Sequence, residues 1–100
     1  MNSFKKIQEN PIILDLTVCK NWLDVHFLLK QKFGFPEYYG NNWSAFWDCI
    51  DGLFEGEQIT VEIYGYNSLE GELKKEIEIM LEMLREQENK TLGLNVVVVS

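Results

Sequence analysis

Gly93 is followed by a nearly continuous aliphatic run, Leu94-Asn95-Val96-Val97-Val98-Val99. Its longest unbroken stretch, Val96 to Val99, is far too short to span a bilayer. A strand this apolar shows no clear wet face. It fits a central strand covered on both sides, as in parallel sheets packed under helices.

The rest of the chain supplies partners for that strand. Pro11 opens a second compact apolar run, Ile12-Ile13-Leu14-Asp15-Leu16, which reads as a short buried strand. Ile59, Val61 and Ile63 alternate with Thr60 and Glu62, a strand with one polar face. Between these runs the spacing turns helical. Trp22, Val25, His26, Leu29 and Phe33 form one seam, with Thr17 as the expected N-cap and Gly34 as the stop. Pro36 disfavours a helical conformation at Phe35 and makes 35–40 a loop. Asn41 or Asn42 caps a second helix that runs to about Asp51 and stops at Gly52. Ser68 is the expected cap of a long helix with the seam Leu69, Leu73, Ile77, Met80, Leu81 and Leu84. The order strand, helix, helix, strand, helix, strand predicts an α/β fold, a three-stranded parallel sheet flanked by helices with right-handed crossovers. At 100 residues the chain reads as a single domain over 1–100, large enough to bury a core.

Charge narrows the function classes. There are 16 acidic and 9 basic residues, a net of −7, and the excess is not spread evenly. Residues 1–47 are near balance at +1, whereas 48–88 hold twelve acids against Lys74, Lys75 and Arg85. Such a field repels nucleic acid and attracts basic protein surfaces. A hydrophobic share of 46% excludes a disordered tail. Met1 to Asn10 lacks the apolar stretch of a signal peptide, and two cysteines cannot make a disulfide scaffold, so a cytoplasmic location is expected. A reducing cytoplasm argues against pairing of Cys19 with Cys49.

The second helix carries the most specific pattern. On a helical wheel Ala45, Phe46, Cys49 and Ile50 share the core arc. Ser44, Trp47, Asp48 and Asp51 share the opposite arc, with Trp43 at the border and Tyr38 and Tyr39 just upstream. Exposed tryptophan beside carboxylates is the composition of a protein-docking surface. Catalysis is not expected. His26 lies on an apolar seam, Cys19 and Cys49 lack metal-ligand spacing, and no nucleophile or phosphate loop accompanies Asp48 and Asp51.

The segment Pro36-Glu37-Tyr38-Tyr39-Gly40-Asn41-Asn42, then Ala45, Trp47-Asp48-Cys49-Ile50 and Gly52, resembles the signature of the barstar family, bacterial intracellular inhibitors of barnase-type ribonucleases. The long acidic helix ending Leu84-Arg85-Glu86 and the final strand closing on Ser100 extend the resemblance over roughly 11–100. It implies an inhibitor or immunity protein that plugs the active site of a basic ribonuclease, extracellular-type or toxin. No cofactor or metal is implied, and the free protein would be a monomer that binds neither nucleic acid nor membrane. By position Asp48 is the carboxylate that takes the place of substrate phosphate. Tyr38, Gly40, Asn42, Trp43, Trp47, Gly52 and Glu86 fall at positions resembling the family's contact surface. Ser44 stands where the family has aspartate and Leu53 where it has tryptophan, which alters the nuclease that fits. Asp51 replaces a neutral residue beside Asp48 and is expected to restore part of the lost charge. The alternative reading is a barstar-fold binding module, or an immunity protein against a different toxin nuclease.

Overall fold

A computed structural model describes residues 9–100. The first eight positions of the Met1–Asn10 stretch, where no signal peptide is expected, lie outside the described residues. The chain runs β1 (Ile12–Asp15), α1 (Trp22–Phe33), α2 (Trp43–Ile50), β2 (Ile59–Tyr64), α3 (Gly71–Lys90) and β3 (Leu94–Val98), with 3-10 turns at Leu16–Val18 and Tyr66–Ser68. The three strands form one parallel sheet. The α/β architecture expected from the alternating pattern is the one observed.

The expected place of the last strand is not. The strand order is β1-β2-β3, so β2 is central and β3 lies at the edge. Ile12 pairs with Val61, and Val61 with Val96. These residues, with Leu14, Ile59, Ile63 and Leu94, make the buried face. The other face is more open: Asn95 is exposed and Val97 is 37% exposed. β-branched residues favour strands on either face, so Val97 hid the alternation that Asn95 alone betrays. Val25, Leu29 and Phe33 of α1, Phe46 and Ile50 of α2, and Ile77, Met80 and Leu84 of α3 complete the core against the buried face.

Helix starts also differ from expectation. Thr17 lies in the first 3-10 turn, its amide bonded to Asp15 Oδ1, and Asn21 caps α1 by accepting from the Asp24 amide at 2.9 Å. Trp22 is 50% exposed and does not join the seam. Ser68 instead donates to the Gly65 carbonyl, and α3 begins at Gly71 after Glu70, which makes no side-chain cap. Gly34 ends α1 at φ 70°, the left-handed conformation a helix C-cap favours for glycine. Gly93 is required more strictly. A Cβ there would stand 2.2 Å from the Glu57 carbonyl oxygen, and φ is +95°.

Candidate functional site

The loop before α2 is built on three buried side chains. Phe35 stacks on Phe33, Pro36 is buried, and Tyr39 closes a turn by donating its amide to the Pro36 carbonyl at 3.0 Å. The Tyr39 hydroxyl and His26 Nδ1 of α1 are hydrogen-bonded at 2.6 Å. Burial pushes the His26 imidazole down to about 4, so it is neutral near pH 7. With every second or third side chain pinned inward, Glu37, Tyr38 and Gly40 are left facing solvent, Tyr38 at 74% exposure.

Of the two candidate caps, Asn42 starts α2. Its Oδ1 accepts from the Ala45 amide at 2.8 Å, and its Nδ2 donates to the Gly40 carbonyl at 3.2 Å. Asn41 has φ 53°. Phe46 and Ile50 are buried, while Ala45 and Cys49 are only half-buried. Cys49 is a free thiol whose pKa is raised, first by burial and then by the Asp48 charge.

The tryptophans are not the open pair expected from the wheel. α2 lies between the loop side of α1 and α3, so both of its flanks are covered. The Trp43 ring centroid lies 4.4 Å from that of His26, the planes tilted by 50°, and 5.4 Å from that of Phe46, edge-on at 86°, and its Nε1 donates to Glu76 at 3.4 Å. Trp47 is half-buried, with Lys90 Nζ 5.4 Å from its ring centroid. It walls a groove of about 240 Å³ with Ile79, Glu82, Met83 and Glu86 of α3. Glu82, Met83, Ile79 and Lys90 were missed from sequence. Their only signal is the four-residue spacing off the apolar seam of α3.

Asp51 also departs from expectation. As C-cap of α2 it accepts from Gln87 Nε2 at 3.0 Å and Lys90 Nζ at 3.1 Å. The Gln87 hydrogen bond, then the Lys90 one, hold its carboxyl below the usual range. The carboxylate expected to replace the charge missing at Ser44 is therefore offset within the chain.

Ser44, Asp48, Gly40, Asn42, Gly52 and Glu86 are exposed around the same helix. Among the described residues no cation lies within ion-pair distance of Asp48 or Glu86. Asp48 thus presents a carboxylate with free acceptor positions on a helix fixed at both ends. A concavity of about 630 Å³ lies elsewhere, at the C-terminal ends of β1 and β2, lined by residues such as Asp15, Thr17, Tyr64 and Ser100. Among the described residues no group of three or more His, Cys, Asp or Glu side chains could hold a metal ion.

The family model described as "Barstar (barnase inhibitor)" matches residues 10–99. A Bacillus subtilis (strain 168) protein named "Putative ribonuclease inhibitor YrdF" is 46% identical over 41 residues, 41% of this chain and 45% of that protein. The match therefore spans less than half of that relative. The family match covers the sheet, the three α-helices, α2 with its Asp48 among them, and the loop before α2, and the chain belongs to the barstar family.

Proposed function

We propose that this protein inhibits a basic ribonuclease by placing α2 in its active-site cleft, with Asp48 where a substrate phosphate would sit. The observation that carries the reading is the solvent-facing carboxylate of Asp48, without an ion-pair partner among the described residues, on a helix held by Asn42 at one end and Asp51 at the other. A carboxylate accepts charge-assisted, even bidentate, hydrogen bonds from arginine much as phosphate does. Because α2 is already held, little ordering entropy is lost on docking. Tyr38, Gly40, Trp43, Trp47, Gly52 and Glu86 border it, and the acidic 48–88 segment speeds encounter with a basic partner. The protein acts as one domain in the cytoplasm of its producer, as a monomer and without a cofactor. No helix among the described residues is long and apolar enough to cross a membrane.

A second reading, an immunity protein for a different toxin nuclease, is favoured by one feature. Ser44 and the Lys90-bound Asp51 leave fewer free carboxylates on α2 than its sequence promises. A cleft with fewer cations would suit that surface.

The test is RNA cleavage by a barnase-type, guanyl-preferring ribonuclease, titrated with the parent and with Asp48→Ala. Stoichiometric inhibition by the parent is expected. The variant should be weakened at least a hundredfold, about 3 kcal/mol, because the nuclease cations would be left buried and unpaired. A folded parent that fails to inhibit would discard barnase-type specificity and leave the second reading.

A further inference from the structure

β1 and β2 end side by side, and the chain turns away from each through a 3-10 turn, Leu16–Val18 after β1 and Tyr66–Ser68 after β2 and Gly65. The two turns meet closely. A Cβ on Gly65 would stand 2.8 Å from Thr17 Cγ2, and its φ is +90°, a conformation glycine adopts freely. Ser100 ties the same corner from beyond β3. Its Oγ accepts from the Gly65 amide at 3.0 Å and its carbonyl from the Asn67 amide at 3.2 Å. The concavity of about 630 Å³ at these strand ends is therefore bounded by three segments already bonded to one another. The carboxyl ends of the strands are where open α/β sheets commonly hold a ligand, and preformed sites of this volume take small molecules.

The lining selects the chemistry of that ligand. Asp15 and Tyr64 are register partners, so a carboxylate and a phenol ring stand side by side on the more open face of the sheet. Asp15 Oδ1 accepts from both the hydroxyl and the amide of Thr17, and these bonds, the hydroxyl's first, hold the carboxyl below the usual range. Capping the turn accounts for Oδ1 alone. Among the described residues Oδ2 has no hydrogen-bond donor, and no cation lies within ion-pair distance of Asp15 or Glu62. The Tyr64 hydroxyl donates to Glu62 Oε1 at 2.9 Å, which fixes the ring as one wall and adds a second carboxylate beside it. Ile13 contributes apolar surface. A half-buried, uncompensated carboxylate next to an aromatic ring is complemented by a cation, through an ion pair and a cation–π contact together. An anion would be repelled, and a neutral apolar molecule would cover Oδ2 without bonding it. A bare metal ion finds too few ligands, since no cluster of three or more His, Cys, Asp or Glu lies among the described residues.

We propose that this crevice binds a small organic cation, an ammonium group carried on an apolar body, with Asp15 as its counter-ion and Tyr64 as its ring contact. The site lies on the face of the sheet opposite the core into which α2 packs, so the inference is independent of the ribonuclease-inhibitor reading.

The probes are tryptamine and tryptophol, which share an indole body and differ in ending on an ammonium or a hydroxyl. Two-dimensional proton–nitrogen NMR spectra of the full chain follow each titration near neutral pH. Tryptamine should shift the amides of 13–17 and 64–68 and bind about tenfold more tightly than tryptophol, the margin shrinking at high salt. Asp15→Asn keeps an oxygen to cap the turn but removes the charge, so it should fold as the parent does and erase the margin. Tyr64→Leu should weaken tryptamine severalfold and tryptophol less. Equal affinity of the parent for both probes overturns the proposal without reference to any variant. So does an undiminished margin in Asp15→Asn, the absence of a saturable shift with tryptamine, or shifts centred instead on α2 and the loop before it.

Discussion

His26 shows how one side chain ties the loop before α2 to the scaffold. It is 1% exposed, bonded to the Tyr39 hydroxyl and faced by the rings of Trp22 and Trp43, with no charged group at contact distance in those pairs. Burial holds its pKa at about 4, against 6.5 when the chain is unfolded. The folded state therefore binds fewer protons between those values, and stability falls as pH drops. The contribution is fully present above pH 6.5, is lost progressively on acidification, and levels off below about pH 4. Its size is on the order of 3 kcal/mol. Urea unfolding at pH 7, 5.5 and 4.5 should show this loss, and His26→Gln should remove most of the slope, leaving only what the carboxylates contribute. An imidazole that titrates near 6.5 in the folded protein would contradict the assignment. The residue's seam position was legible from helical spacing alone. Its bond to Tyr39 was not, because nothing in a linear pattern says which of two adjacent tyrosines turns inward.

An eight-residue helix has no stability of its own in water, so α2 exists because its ends and flanks are held. The N-terminal hold was readable, since asparagine before an aromatic-rich turn is a recognisable cap. The C-terminal hold was not: Gln87 and Lys90 reach Asp51 from 36 and 39 residues away, and α3 had to be placed before they could meet. The same contact covers Trp47, which a wheel drawn for α2 alone leaves in solvent. Lys90 is itself half exposed, so its pairing with Asp51 matters more for the charge presented to a partner than for the fold. Lys90→Met should leave the melting temperature nearly unchanged and leave Asp51 held by Gln87 alone, its charge no longer offset by a cation. Association with a basic ribonuclease should then quicken by about two- to threefold at low ionic strength, with the gain vanishing at high salt. Stopped-flow mixing at two salt concentrations measures it. An unchanged or slower association would mean that Asp51 does not face the partner.

At the scale of the whole molecule the difficulty is the open side of the sheet. The run that seemed suited to a sheet centre, Val96 to Val99, lies on an edge strand, uncharged, free of proline and strongly β-favouring. Its backbone would invite another strand. α3 answers this with two side chains one turn apart. The Val96 amide donates to Glu88 Oε2 at 2.6 Å, and Arg85 Nη1 donates to the Val96 carbonyl at 2.6 Å. Arg85 and Glu88 also pair with each other at 3.0 Å. Together they offer the edge one acceptor and one donor, as a neighbouring strand would, and the charged pair cannot itself be extended by a further strand. Glu88→Ala with Arg85→Ala strips this cover. The double variant should lose roughly 1–3 kcal/mol, the cost of leaving partly buried backbone groups without partners. It should also self-associate, with sedimentation velocity showing a dimer or larger species as concentration rises toward about 100 μM while the parent sediments as one species. Far-UV circular dichroism separates association from unfolding. A folded double variant that stays monomeric across that range would mean that the net charge of −7 alone keeps the edges apart. In that case raising the salt concentration, which screens the charge but leaves the side-chain cover in place, should drive the parent itself to associate.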